Sequence, residues 1–216
     1  MEGGSLKIRS EGLLNFLPRP SLTWISAPDT FSNSALLCQL SSAVLSAGGS
    51  VEYIDLDTTF SAYLSSGMMS VNKQEGLTVI RPQANDIHKV MAQVLSSEDD
   101  KYDLVILDSL TAFYHLCSNG RQLKNIPILM GSYIVLFKSM SMRQNSRLIV
   151  TSLLSARRAP EREGGGWTTA PTGRRIMTKI SDVILEINSD NSKIDVKVVS
   201  HPDLGMKGLV YMLPLS

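Results

Sequence analysis

The chain has 216 residues, of which 43% are apolar and 19% charged, and its formal net charge is +1. This composition is globular, which excludes a wholly disordered chain or a fibrous repeat. The length suits one α/β domain and is too short for two ordinary domains with a linker, so we expect residues 1–216 to form a single core domain in which residues 1–11 are a flexible N-terminus.

Neither a membrane segment nor a metal centre is indicated. The longest nearly apolar run, residues 126–137, is far shorter than the roughly 18 residues that a membrane span needs. We therefore expect a soluble, intracellular protein with no membrane contact, nuclear in a eukaryote and cytoplasmic in a prokaryote. Cys38 and Cys117 lie in apolar stretches without CxxC or nearby histidine spacing, which favours buried reduced thiols over a disulfide or a zinc site. The three histidines are scattered, so no metal is expected.

The small net charge conceals a strong asymmetry along the chain. Residues 20–72 contain four acidic residues and no lysine or arginine, whereas residues 121–179 contain eleven basic residues and two acidic ones. The second stretch is typical of a surface that meets an anion, and the first is not.

The first half of the chain alternates predicted strands and helices. Strands are predicted at Leu22–Ser26, Val51–Asp55, 77–82 and Asp103–Asp108, and helices at Ser34–Ala47 and Asp86–Leu95. The run DLVILD has the apolar, β-branched content of a strand that is buried on both faces of a parallel sheet.

The second half ends in a run of strands. A helix is predicted over 121–142, then a strand over 146–154, a long irregular loop from Ser155 to Gly173, a helix at Arg174–Ile180, and strands over 181–187, 193–200 and 208–215. This order predicts an α/β fold with a mainly parallel sheet flanked by helices and an antiparallel extension at the C-terminus.

Four local segments lie in this order: VEYIDLDTTF (51–60), LVILDSLTAFY (104–114), the stretch from Leu148 to Asp182, and VKVVSHPDLGMKGLVYML (196–213). Together they resemble the core of the RecA/RadA recombinase superfamily, including its RadB-like and eukaryotic paralogues, over residues 12–214. The resemblance implies a RecA-like core of the P-loop NTPase type. It places Asp57 where the family has the acid that aligns the attacking water, and Asp108 at the Walker B carboxylate that holds the magnesium shell.

The phosphate-binding loop of that family is replaced at its signature positions. In the frame GxxxxGK[ST], Ser26 takes the place of the first glycine, Phe31 that of the second, Ser32 that of the lysine and Asn33 that of the hydroxyl, while Asp29 adds a carboxylate. The site is therefore interpreted as a degenerate nucleotide site made of Ser26, Asp29, Phe31, Ser32, Asn33, Asp57 and Asp108.

This degenerate site predicts a pseudo-ATPase with no catalytic residue and no cofactor. Leu153 also replaces the glutamine that the family uses to link the γ-phosphate to its DNA loop. We expect Asp108 to cap the strand end and to bond backbone groups; retained magnesium binding is the alternative.

The basic stretch, residues 121–179, contains the candidate DNA-binding surface, because the resemblance places Ser155–Thr172 at the DNA-contacting loop. The predicted contacts are Arg157, Arg158, Arg162, Trp167, Arg174, Arg175 and Lys179. Guanidinium groups neutralise phosphates and an indole stacks on unpaired bases. The alternative is an ordinary solvated loop whose arginines pair with Glu161 and Glu163.

Three functions are compatible with these patterns. The resemblance favours an accessory or mediator protein of homologous recombination and DNA repair, which binds single-stranded DNA and a RecA/RadA-type recombinase or another paralogue as a heteromer. The alternatives are a pseudo-ATPase scaffold similar to the RecA-like Elongator subunits, which bind tRNA, and a KaiC-like regulatory ATPase. Arg121 falls near the family's other DNA loop, and Phe16 is interpreted as core rather than as an oligomerisation tether.

Overall fold

The computed structural model describes residues 6–7, 12, 14, 17–71, 73–97, 101–118, 125–158, 166–190 and 193–214. Its strands are β1 (Leu6–Lys7), β2 (Ser21–Ala27), β3 (Val51–Asp55), β4 (Leu77–Ile80), β5 (Leu104–Asp108), β6 (Arg147–Arg158), β7 (Trp167–Pro171), β8 (Val183–Ser189), β9 (Lys193–Ser200) and β10 (Val210–Pro214). Its helices are α1 (Thr30–Ser46), α2 (Thr59–Ser65), α3 (Ile87–Ser96), α4 (Leu110–Ser118), α5 (Ile126–Gln144) and α6 (Arg174–Ile180).

The strands form one sheet in the order β1-β10-β9-β8-β2-β6-β5-β3-β4, with β7 paired to the outer part of β6. From β8 to β4 the strands are parallel, whereas the β8–β9, β9–β10 and β6–β7 pairs are antiparallel. The predicted fold class is confirmed: a mainly parallel sheet flanked by helices, extended by antiparallel strands at the C-terminus.

Two hydrophobic layers cover the sheet, one on each face. Helices α1 and α2 pack on one face through side chains such as Leu36, Leu40 and Phe60. Helices α3 to α6 pack on the other, where Met91, Phe137 and Met177 are buried. The central strands are apolar on both sides because each face lies against helices.

Helix α1 begins four residues earlier than predicted. Asp29 is its N-cap, so the positions from Thr30 to Asn33 form the first helical turn and not a loop. The signal that identifies this start is a side-chain acceptor at the N-cap whose partner is the backbone N–H three residues on. Only Pro28 and Asp29 separate β2 from α1.

The prediction of a long irregular loop from Ser155 to Gly173 was wrong for its described ends. Residues 154–158 of β6 pair with 171–167 of β7 in an antiparallel hairpin. Hydrogen bonds between the two strands make this backbone regular, although its composition, rich in Gly, Pro and charge, predicts a loop. Helices α2 and α4 were also not predicted.

Smaller expectations have mixed outcomes. Both cysteines are free thiols, with Cys38 buried and Cys117 half-buried. Leu6 and Lys7, within the predicted flexible N-terminus, pair with β10. Phe16 and Arg121 lie outside the described residues. In the described part of the chain, every helix is too short or too polar to cross a bilayer.

Candidate functional site

The carboxyl ends of four neighbouring parallel strands, β2, β6, β5 and β3, meet at one edge of the sheet. Asp55 ends β3 and Asp108 ends β5, and the two residues are partners in the strand register. Clefts at the carboxyl ends of open parallel sheets are where ligands bind in such folds. The sheet therefore brings Asp108 of the predicted nucleotide site, with Asp55 beside it, to the place where a ligand is expected.

Asp108 is the centre of a buried hydrogen-bond network. Its Oδ1 accepts from Asn33 Nδ2 (2.7 Å) and from Thr151 Oγ1 (2.6 Å), and its Oδ2 accepts from the Tyr53 hydroxyl (2.5 Å). The expectation that this carboxylate bonds backbone groups is therefore wrong. Side-chain donors from α1, β3 and β6 surround the end of β5 instead, and they hold four elements together.

Burial shifts the protonation of this network. Desolvation raises the pKa of Asp108 to about 6, although the bonds from Thr151 and Tyr53 act in the opposite direction. Burial, followed by the nearby Asp108 carboxyl, raises the pKa of Tyr53 well above its usual value. Burial also raises the pKa of Asp55, whose Oδ2 accepts from the backbone N–H and the hydroxyl of Ser61. Each shift favours the neutral form of its group.

Asp57 lies beside this network and is half-buried. Its Oδ1 accepts from the backbone N–H of Thr59 at the start of α2 (3.0 Å). Carboxylate oxygens of Asp55, Asp57 and Asp108 lie within 4.8 Å of one another. The structure thus brings together the two acids that the sequence singled out, and it adds Asp55.

One side chain of the connection between β2 and α1, the Asp29 carboxylate, caps the start of the helix. Asp29 Oδ1 accepts from the Ser32 backbone N–H (2.7 Å), and its Oδ2 accepts from the Ser32 hydroxyl (2.8 Å). The Ser189 hydroxyl also donates to Asp29 Oδ2 (3.3 Å). The N-terminal end of α1, where an anion would otherwise find free N–H groups, is therefore capped from within the chain.

The other residues of the predicted site are occupied by structural contacts. Asn33 is buried with its amide on Asp108, and the Ser26 hydroxyl donates to the Leu185 carbonyl at 3.5 Å. Phe31 is 38% exposed and meets the ring of Tyr63 edge to face at 5.8 Å. Neither Phe31 nor Asn33 offers a positive charge.

The cations that flank this part of the sequence lie at the opposite edge of the sheet. Arg19 precedes β2 and pairs with Asp103, which precedes β5 (2.6 Å). Lys73 donates to the carbonyl of Ser46, at the C-terminal end of α1 (3.3 Å). The 17 residues of α1 separate that end from Asp29 by roughly 25 Å at a rise of about 1.5 Å per residue.

The predicted DNA-facing residues divide between two elements. Arg158 and Trp167 pair with each other near the described end of the β6–β7 hairpin, where the indole is 79% exposed. Arg174, Arg175 and Lys179 are exposed on α6. The backbone of Arg157 belongs to β6, whereas its side chain and all of Arg162 lie outside the described residues.

The hairpin is anchored to the strand ends. Ser152, which follows Thr151 in β6, donates through its hydroxyl to the carbonyl of Thr172 (2.9 Å). The Thr111 hydroxyl of α4 contacts Thr172 Oγ1 (3.1 Å) and accepts from the Leu153 backbone N–H (3.0 Å). Leu153 therefore joins this network through its backbone, at the position where the resemblance implies a glutamine side chain.

Sequence reasoning missed the partners of Asp108. Tyr53 and Thr151 were read as ordinary strand residues. Tyr53 lies two residues before the end of β3, and Thr151 follows Val150, the last residue of β6 that pairs with β5. A polar residue near the end of an otherwise apolar buried strand was the available signal. The amide role of Asn33 could not be found without knowing that α1 begins at Thr30.

The family model of Rad51 matches residues 30–214. No match was found among curated proteins. The matched segment covers most of the chain and contains every element from α1 to β10, including the acidic strand ends and the hairpin. The chain therefore belongs to the Rad51 family of RecA/RadA recombinases.

Proposed function

We propose that this protein is a non-catalytic member of its family that acts as an accessory or mediator protein in homologous recombination and DNA repair. In this role it binds single-stranded DNA and a RecA/RadA-type recombinase or another paralogue, and it neither binds nor hydrolyses ATP. Membership of the Rad51 family supports the recombination setting.

The observation that carries the proposal is the capped N-terminus of α1. A phosphate-binding loop presents free backbone N–H groups from a glycine-rich turn, together with a lysine. Here the turn is two residues long, and the Ser32 N–H is already bonded to the Asp29 carboxylate. A phosphate at this place would have to displace a negative charge, with no lysine or arginine between residues 20 and 72 to compensate.

Carboxylate oxygens of Asp55, Asp57 and Asp108 lie close enough together to suit a cation, but Asp108, the carboxylate that the resemblance assigns to magnesium, is not free to bind it. Both oxygens of Asp108 accept from protein side chains, so a cation would have to displace Asn33, Thr151 or Tyr53. The amide of Asn33, rather than a hydroxyl, reaches this carboxylate from α1. Hard cations such as magnesium need oxygen ligands and near-octahedral geometry. The network serves as internal packing of four elements.

Equilibrium dialysis of the purified chain against radiolabelled ATP and magnesium tests the proposal. We expect no saturable binding, while an ATP-binding recombinase measured in parallel saturates. A dissociation constant in the low micromolar range would overturn the pseudo-ATPase assignment.

The β6–β7 hairpin supports the DNA-binding part of the proposal. It projects an indole that is 79% exposed, next to Arg158 on the paired strand. An exposed aromatic beside guanidinium groups suits an unpaired base and its phosphate. Arg157 and Arg162 are further members of the proposed DNA surface.

A further inference from the structure

Helix α5 has a second apolar face that no described element covers. Its outward side carries apolar residues that are more than half exposed: Ile128 (70%), Val135 (54%), Leu136 (51%) and Met142 (59%). Ile128, Val135 and Met142 follow one another at intervals of seven residues. This interval is that of a helix–helix packing seam, in which each knob falls two turns after the last. The opposite face of α5 packs against the core through Ile134 and Phe137.

The seam forms one wall of a groove between α5 and α6. Ile176 of α6 lies against Gly131, at 3.4 Å from the position that a Cβ would take there. The apolar part of the groove has a volume of about 650 Å³ and continues along α6 past Lys179. Ser132 and Ser139, which are exposed, lie between the apolar side chains of α5, and such small residues let a second helix approach closely.

The groove is held open by a fixed contact between its walls. The ammonium group of Lys138 donates to the Ile180 carbonyl at the end of α6 (2.7 Å) and pairs with Asp182 (2.8 Å). Because these bonds tie α5 to the segment after α6, a partner would bind a preformed surface and would not have to order it.

The edge of the groove on α6 is basic. Arg174, Arg175 and Lys179 are exposed, and the ion pairs within the described residues leave all three unused. This positive charge disfavours a second copy of this chain as the partner, because the edge of that copy would carry the same charge. The groove also differs from a surface for single-stranded DNA, because the described residues that line its apolar part include no aromatic side chain on which a base could stack.

We propose that the groove between α5 and α6 binds an amphipathic helix of a partner protein, in which acidic residues flank an apolar seam. This deepens the proposed accessory role, on which it relies for the existence of a protein partner, and it reassigns the α6 cations from DNA to that partner. The distance from Ile128 to Met142, about 21 Å at a rise of about 1.5 Å per residue, matches a partner helix of about four turns. Helix-in-groove recognition uses anchors at this spacing.

The test uses two fluorescent helical peptides of about 20 residues that share a leucine seam and differ only in the flanking charges, glutamate in one and lysine in the other. Fluorescence anisotropy is expected to show that the glutamate peptide binds the full chain at least about tenfold tighter than the lysine peptide, a difference of about 1.4 kcal/mol. Val135→Glu is expected to weaken that binding about tenfold. Leu204→Glu, which places the same charge on another exposed apolar side chain, is the matched control and is expected to change nothing.

A charge exchange makes the test specific. The double variant Arg175→Glu, Lys179→Glu is expected to reverse the preference, so that the lysine peptide binds more tightly. Equal binding of the two peptides, no binding of either, or an unchanged affinity in Val135→Glu would overturn the inference. So would a double variant that loses DNA and keeps the glutamate peptide, because the α6 edge would then serve DNA. ATP dialysis and binding of DNA by the hairpin are separate measurements, so a failure here leaves the pseudo-ATPase assignment standing.

Discussion

Asp29 determines what the start of α1 can bind. The Asp29 carboxylate satisfies the Ser32 backbone N–H and hydroxyl, which stabilises the helix. In the proposed function the same negative charge also disfavours a phosphate at this place. A loop that must wrap a triphosphate needs glycine and open N–H groups, whereas a two-residue connection needs a good N-cap. The local sequence serves the second requirement.

We expect Asp29→Ala to lower the free energy of unfolding by about 1 kcal/mol, the usual cost of losing a helix N-cap. Asp29→Asn keeps an acceptor for the Ser32 N–H and is expected to lose less. Urea unfolding followed by circular dichroism measures both. An Asp29→Ala variant as stable as the parent chain would show that the cap has no stabilising role.

At the scale of elements, the β6–β7 hairpin was the hardest feature to predict. Strands such as β3 and β9 were predicted with their observed bounds, because the run VEYID and the alternation in KIDVKVVS are strong local signals. The hairpin has no such signal: Ser155 and Thr169 are exposed, and the regular backbone depends on pairing between the two strands. Helix α4 was missed for a related reason, since its nine residues include many aromatic and apolar side chains that also suit a buried strand.

The prediction of DNA binding concerns the β6–β7 hairpin. Replacing Arg157, Arg158 and Arg162 together by alanine is expected to weaken binding of a labelled oligothymidine, and to lower the slope of log K against log salt by about 2, since each phosphate contact on a single strand contributes about 0.7. Trp167→Ala is expected to cost about 1–3 kcal/mol, the value of one stacked base. The matched control replaces three exposed basic residues elsewhere, Arg81, Lys89 and Lys207. Unchanged affinity in the hairpin variants would remove the hairpin from the DNA surface, and a preference for tRNA over the oligothymidine would favour an Elongator-like scaffold.

At the scale of the whole molecule, the sheet can be predicted from the sequence far more completely than the site can. Alternating strands and helices followed by a run of strands define the layers, because each buried parallel strand is a local apolar run. The site depends on which strand ends become neighbours. Asp108 meets Asn33, Thr151 and Tyr53 across sequence separations of 75, 43 and 55 residues, and no local pattern reports such contacts.

This long-range network makes the stability of the whole fold depend on pH. In the folded chain the pKa of Asp108 is about 6, whereas an unfolded aspartate titrates near pH 3.9. Between these values the folded state holds a proton that the unfolded state has released, so the free energy of unfolding falls as pH rises through this window. The raised pKa of Asp55 acts in the same direction. We expect a loss of roughly 2–3 kcal/mol between pH 4 and pH 7, complete above about pH 7.

Urea unfolding at a series of pH values measures this dependence, and Asp108→Asn isolates its cause. An asparagine keeps an oxygen for Thr151 and Asn33 and presents an amide to the Tyr53 hydroxyl, but it has no proton to exchange. The variant is therefore expected to flatten the pH dependence, while Glu75→Gln, at an exposed acid, leaves it as it is in the parent chain. If Asp108→Asn and the parent chain lose stability with the same slope, the Asp108 carboxyl is not the titrating group, and the raised pKa of this buried carboxyl is refuted.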